Sequence, residues 1–250
     1  MHFPTKIENS LSAIERQEFI LNHALRGSEL FRNWPTASIS RLKQISRVEV
    51  YERHAEVLGH DRFRREILVV AAGCLEASRV NEIGKKFLFG LAGPGSVVAL
   101  PRLLVDSPML FDYRAHIRTY LVHISGDELL NILDENPILW GEIAKLMLMR
   151  RKEALEITYI QAVGSIQQRV AAMLTQLSKI HGIREKIGKY LKLNISQDDI
   201  AAMLGVSRQS ANKELRALEI EGIIKSGYQS IIIMNSDDLI NISQLPSKFD

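Results

Sequence analysis

The chain has 250 residues, of which 46% are hydrophobic and 24% charged, and this is enough for one large core or two smaller ones. Its formal net charge of +3 is compatible with nucleic-acid binding and does not establish it. The single cysteine, Cys74, excludes an internal disulfide and any iron–sulfur cluster held by several thiolates of one chain.

The same properties lead to an expectation about location. A single cysteine favours a reducing compartment, so we expect a cytoplasmic protein. No apolar run reaches about eighteen residues, and the sequence therefore predicts no membrane span. Residues 1–10 carry Lys6 and Glu8 with no apolar segment behind them, which is unlike a secretory signal.

The first two parts of the chain differ in their hydrophobic pattern. Residues 1–30 predict a helical N-terminal extension, whose apolar side chains are spaced for one buried face. The residues expected on that face are Ile14, Phe19, Ile20 and Leu25. Residues 31–126 instead contain short apolar segments, such as 48–51, 67–70 and 87–89, separated by turn residues. Short strands at regular spacing predict an antiparallel sandwich or barrel.

Residues 127–163 predict a long helical stretch with one break at Asn136 and Pro137, where the proline suits a first helical position. Apolar residues beyond the break lie near a 3.5-residue repeat, typical of a helix that pairs with another helix. They are Ile143, Met147, Ala154 and Ile157. The simplest partner is a second copy of the chain, and the alternative is packing of the helix along its own barrel.

Residues 164–250 predict a helix-turn-helix followed by a hairpin wing. Ser196 is expected to cap the first helix, Gly205 to supply the turn, and Ser207 to cap the second helix. The side chains expected to be buried in the helix pair are Ile200, Ala201, Leu204, Ala211, Leu215 and Leu218.

The exposed face of the second helix carries side chains suited to DNA. Arginine pairs with guanine, and glutamine or asparagine with adenine, and the start of such a helix is where base edges are contacted. The candidate DNA-binding residues, including Lys225 on the wing, are Ser207, Arg208, Gln209, Ser210, Asn212, Lys213, Arg216 and Lys225. The alternative is an ordinary solvated helix in a ligand- or protein-binding module that does not bind DNA.

Residues 30–234 resemble the CRP/FNR superfamily of bacterial transcription regulators. Residues 166–174 are similar to the helix that follows the family hinge, and Arg208, Gln209 and Lys213 occupy the positions where members commonly have Arg, Glu and Arg. The resemblance implies an α+β fold with an N-terminal antiparallel double-sheet β-roll (cupin-like), a long dimerisation helix and a C-terminal winged helix-turn-helix. It also implies a homodimer that binds near-palindromic double-stranded DNA and acts on RNA polymerase.

The effector pocket of this family is where the sequence departs from the resemblance. The Glu that holds the ribose in cyclic-nucleotide binders falls on Leu100, and the Arg-Ser pair that holds the phosphate falls near Met109 and Leu110. A buried phosphate without a paired arginine is costly, so we expect no control by cyclic AMP. The candidate pocket residues are Val98, Ala99, Leu100, Met109, Leu110 and Arg114.

Other cofactors and enzyme activity are not expected either. The axial-ligand candidates for haem show no pattern typical of a haem site; they are His54, His60, Cys74, His116 and His123. The spacing of His116 and His123 is not a metal-ligand signature. Residues 90–96 form a glycine-rich loop that lacks the ending of a phosphate-binding loop.

Overall fold

The computed structural model describes residues 12–58, 65–105, 112–181, 183–184 and 191–244. The chain forms two compact units, Met1–Arg79 with Phe89–Met149 and Val80–Leu88 with Arg150–Asp250. Within the described ranges, no helix is both long and apolar enough to cross a membrane.

Among the described residues of the first unit, two helices precede the strands, α1 (Ala13–Gly27) and α2 (Thr36–Gln44). The prediction that Ile14 lies on the buried face of α1 is wrong, since its side chain is 81% exposed. Ile14 lies in the first turn, before the core begins at Ile20. Phe19 is also exposed, because it points about 120° away from the buried Leu25 on a helix with about 3.6 residues per turn.

In the described parts of residues 46–125, eight strands pair into two antiparallel sheets. The strands are β1 (Ser46–Tyr51), β2 (Glu56–Val57), β3 (Glu66–Ala72), β4 (Leu75–Val80), β5 (Lys86–Ala92), β6 (Val97–Val98), β7 (Asp112–Ala115) and β8 (Thr119–Ser125). The sheet orders are β1-β8-β3-β6 and β2-β7-β4-β5. This arrangement confirms the predicted double-sheet roll. The range expected to form it, 31–126, also contains α2, and its strands begin only at Ser46.

Strand β3 is buried on both faces and so separates two cores of the first unit. Ile67 and Val69 belong to a core shared with the surrounding helices. Leu68 and Val70 belong to a second core, to which both sheets contribute, with Leu75 among its members. The space between the sheets at this place is therefore filled by apolar side chains.

Two helices complete the predicted long helical stretch, α3 (Gly126–Glu135) and α4 (Leu139–Val163). The predicted break at Asn136 and Pro137 is confirmed, but Pro137 is not the first helical residue. The peptide N–H groups of Leu139 and Trp140 instead donate to the carbonyls of Asn136 and Pro137 in a tight turn before α4. The N-terminal part of α4 buries Leu139, Ile143 and Leu146 in the core of the first unit.

The second unit consists of short helices and a small antiparallel sheet. After α4, the elements in its described residues are α5 (Ile166–His181), β9 (Ile183–Arg184), β10 (Leu191–Leu193), α6 (Gln197–Leu204), α7 (Arg208–Ile220), β11 (Ile224–Gly227), β12 (Ser230–Ile233) and α8 (Ser236–Ser243). The sheet order is β11-β12-β10-β9. Helix α8, capped by Asn235 and anchored by the buried Leu239, packs against α5.

Candidate nucleic-acid interface

Helix α6 begins with a reciprocal cap. The Ser196 hydroxyl accepts from the Asp199 N–H at 3.1 Å, and the Asp199 carboxylate accepts from the Ser196 N–H at 3.1 Å. This arrangement satisfies N–H groups that a helix start leaves unpaired. The buried face of α6 consists of Ile200, Ala201 and Leu204, as the sequence predicts.

The turn between α6 and α7 depends on Gly205. Its φ of +65° places it in the left-handed region, where a side chain is disfavoured. In this conformation the Gly205 N–H donates to the Ala201 carbonyl and closes the end of α6. The Gly205 conformation therefore sets the direction in which α7 leaves the turn.

Helix α7 combines a rigid inner face with a polar outer face. The Ser207 hydroxyl caps it by accepting from the Ser210 N–H at 3.0 Å, and Ala211, Leu215 and Leu218 are fully buried. Of the predicted DNA-binding residues on α7 and its cap, those with exposed side chains are Ser207, Arg208, Gln209, Lys213 and Arg216. Ser210 and Asn212 are half-buried, at the boundary between the two faces.

Arg208 has a partner that the sequence analysis missed. Its Nε lies 3.3 Å from the Asp198 Oδ1, with side-chain exposures of 66% and 62%. Asp198 lies in the first turn of α6, where its negative charge also favours the helix dipole. The long Arg208 side chain thus reaches from the start of α7 to a carboxylate in the first turn of α6. Both groups stay accessible to solvent and to a polyanion.

The wing is held to α7 by a side chain. The Glu219 Oε1 accepts from the Ser226 N–H at 2.8 Å, and β11 pairs with β12 across four residue pairs from Ile224 to Gly227. Lys225 is exposed on β11. Tyr228 at the tip is 92% exposed. It is a further candidate for a DNA contact that the sequence analysis missed, although an aromatic residue at a hairpin tip could have signalled it.

The predicted effector-pocket residues lie in different environments. Leu100 begins a 3₁₀ helix (Leu100–Leu103) and is buried in the core shared with the helices, so its assignment to a ligand pocket is wrong. Ala99 is buried in the core between the sheets, and Val98 packs beside it half-buried. The reason is local: Ala99 adopts a φ of +66°, which turns the chain into the 3₁₀ helix and directs Leu100 inward.

Of the other predicted pocket residues, the structure describes Arg114. Arg114 is exposed on β7, and its guanidinium lies 3.8 Å from the Glu56 carboxylate. Met109 and Leu110 lie outside the described residues.

The roll also contains a polar network on β1, β3 and β8 that no sequence pattern indicated. The His123 Nδ1 lies 2.8 Å from the Glu66 Oε2, and the Arg47 Nη1 donates to the Glu66 Oε1 at 2.6 Å. Burial raises the pKa of Glu66, but the hydrogen bonds from His123 and Arg47 have the larger opposite effect. The pKa of Glu66 is therefore lowered to about 2. The hydrogen bond to Glu66 raises the pKa of Arg47. The Glu66 carboxylate and the Arg47 guanidinium thus form an ion pair that neutralises both charges locally.

Histidines of the roll are engaged with carboxylates. His123 is almost fully buried beside Glu66, and the His116 Nδ1 lies 3.5 Å from the buried Glu76 carboxylate. In the part of the chain that the structure describes, no group of three or more His, Cys, Asp or Glu residues is placed to hold a metal ion. The absence of a metal site stays a prediction.

The predicted dimer interface needs a correction. Ile143 belongs to the core of its own unit, so its assignment to an interface with another chain is wrong. Met147 and Ala154 are exposed, and Ile157 is half-buried. A different set of exposed apolar side chains lies along one side of α4, interrupted by the exposed Arg151 between Leu148 and Leu155. We call this set the α4 stripe: Ala144, Leu148, Leu155, Tyr159 and Ala162.

Comparisons with known proteins agree with this architecture. The Crp-like helix-turn-helix domain matches residues 168–242. The chain is 23% identical over 204 residues to the cyclic AMP receptor protein of Thermus thermophilus, which covers 81% of this chain and 91% of that protein. It is 24% identical over 201 residues to the HTH-type transcriptional regulator Cmr of Mycobacterium tuberculosis, which covers 80% of this chain and 78% of that protein.

Among solved structures, FixK2 from Bradyrhizobium japonicum superimposes with a TM-score of 0.71 at 18% identity, covering 81% of this chain and 100% of that one. This likeness confirms the fold. The matched domain shows that residues 168–242 form a Crp-like helix-turn-helix DNA-binding domain, and the relatives to which the chain is similar are transcription regulators of the CRP type.

Proposed function

We propose that the chain binds a specific, near-palindromic DNA site as a homodimer, with α7 in the major groove. The observation that carries the proposal is the start of α7, where a capped helix with a fully buried inner face presents exposed Arg208, Gln209 and Lys213. A rigid helix with its N-terminal residues at base edges is how helix-turn-helix proteins contact DNA.

The side chains on α7 and the wing are suited to two kinds of DNA contact, with bases and with phosphates. Arg208 is suited to guanine O6 and N7, and Gln209 to adenine N6 and N7. Lys213, Arg216 and the wing residue Lys225 are suited to phosphates, which supply affinity and register without reading sequence. Since Gln209 stands where family members commonly have Glu, the base opposite it should differ from theirs.

The α4 stripe supports the homodimer. Leu148, Leu155 and Ala162 recur every seven residues, the repeat that pairs helices in coiled coils. Leu148 and Leu155 are 67% and 58% exposed in the single chain, and a second copy would cover them. Two such chains would present two α7 helices to half-sites about one helical turn apart, about 34–36 Å.

We propose further that cyclic AMP does not control the protein, although the Thermus thermophilus relative is named a cyclic AMP receptor protein. The position expected to hold the ribose is the buried, apolar Leu100, and Arg114 is exposed and lies near Glu56. Control would then come from a different ligand or from the abundance of the protein. The family resemblance implies that the DNA-bound protein contacts RNA polymerase in the cytoplasm, and we include this contact in the proposal.

Selection of bound duplexes from a random DNA pool tests this function, using purified protein without added ligand. Recovery of a palindrome is expected, and its affinity should fall steeply as salt rises, because phosphate contacts release counterions. Recovery of a palindrome only after cyclic AMP is added would refute the part of the proposal that concerns the effector. Failure to recover any specific sequence, with or without cell extract, would favour an interaction module that does not bind DNA.

A further inference from the structure

The junction between α4 and α5 has a tightly defined geometry. Gly164 and Ser165 alone separate the two helices. A Cβ on Gly164 would lie 2.6 Å from the Ile160 carbonyl oxygen, so this position accepts no side chain without a shift of the backbone. The Ser165 hydroxyl accepts from the Gln168 N–H at 3.2 Å, and the Gln168 side chain accepts from the Ser165 N–H at 2.9 Å.

One side chain spans this junction and reaches the helix-turn-helix. The Arg169 Nε donates to the Gln161 Oε1 in the last turn of α4 at 2.7 Å. The Arg169 Nη2 donates to the Leu204 carbonyl at the end of α6 at 2.6 Å. All three residues belong to the second unit.

The two hydrogen bonds of Arg169 fix the orientation of its guanidinium as well as its distance from each acceptor. The guanidinium is planar and its donors have a set geometry, so two bonds made in different directions define its orientation. The Leu204 carbonyl lies at the negative end of the α6 dipole, which strengthens a bond from a cation. It is also next to Gly205, at the turn from which α7 departs.

We propose that Arg169 is a positioning residue that holds the helix-turn-helix at one angle to the end of α4, and thereby sets the half-site spacing that the dimer accepts. The inference rests on the proposed function. Arg169 contacts no base in this scheme. It links the helix that carries the α4 stripe to the turn that aims α7.

The test measures binding to duplexes that carry two selected half-sites with spacers changed by one or two base pairs. A one-base-pair change moves a half-site by about 3.4 Å and rotates it by about a tenth of a turn. Gln161→Ala removes only the bond to α4. We expect it to reduce the preference for the best spacer by about fivefold, as the loss of one net hydrogen bond implies. Its affinity for a duplex with a single half-site should stay within about twofold.

Arg169→Lys is the second variant, because it keeps the charge and loses the planar pair of donors; it should relax the spacing preference at least as much. Gln167→Ala, with the same side chain removed beside the junction, is the matched control and should keep the parental preference. The inference is overturned if Gln161→Ala keeps the parental preference while the parent binds a palindrome. If the parent binds no duplex specifically, the proposed function fails and this inference with it.

Discussion

Replacing Arg208 and its partner Asp198 separately should change DNA affinity in opposite directions. Arg208→Ala removes the proposed guanine contact, which is worth about 1–3 kcal/mol per half-site, or about five- to 150-fold in affinity for each half-site. Asp198→Asn removes the carboxylate that lies 3.3 Å from the Arg208 Nε. An exposed ion pair is worth about 0.2–1 kcal/mol, so freeing the arginine should tighten binding by up to about fivefold.

Fluorescence anisotropy with the selected palindrome and with a scrambled duplex, at several salt concentrations, measures both effects. Arg208→Ala should lose discrimination at one base pair of each half-site. Arg53→Ala, an exposed arginine in the roll, removes the same charge far from α7 in sequence and should bind like the parent.

Two results would refute this reasoning. If Arg208→Ala binds the palindrome as tightly as the parent, Arg208 makes no base contact that matters. If Asp198→Asn weakens binding, the carboxylate helps to orient the guanidinium for DNA and does not compete with it. A double variant distinguishes this case from an independent role of Asp198, because coupled residues give non-additive changes.

Three further predictions concern stability and assembly. Gly205→Ala should lower the free energy of unfolding, measured by urea denaturation, by about 1–2 kcal/mol because the φ of Gly205 is positive. The control is Gly141→Ala, which should cause no such loss because Gly141 is helical and has open space around it. The free energy of unfolding should also decline as pH falls from 4.5 towards 2, because the folded Glu66 has its pKa lowered to about 2 and loses that stabilisation on protonation; a Glu66→Gln variant that keeps the full pH dependence would contradict the assignment. Leu155→Glu should yield monomers in sedimentation equilibrium because it places a charge in the α4 stripe. If Ala154→Glu dissociates the dimer and Leu155→Glu does not, the interface predicted from the sequence is favoured over the α4 stripe.

Much of the DNA-binding unit could be predicted because its signals are local. Within residues 195–219, two caps, one glycine turn and the spacing of the apolar residues determine two helices and which side of each is buried. The structure confirms each of these features, from Ser196 to Leu218. It adds the pairing of Arg208 with Asp198, which links residues far enough apart that only the packing of two helices brings them together.

The sequence by itself thus determined the caps, the glycine turn and the buried faces of α6 and α7, since caps, turns and hydrophobic periodicity act over a few residues. Only the tertiary structure decided which face of α4 is free, because this helix has apolar residues on most of its sides and its own core takes Leu139, Ile143 and Leu146. The same holds for the buried Glu66 network, for Leu100 in the core and for Arg169 across the α4–α5 junction. Each depends on contacts between distant segments, which no local pattern encodes.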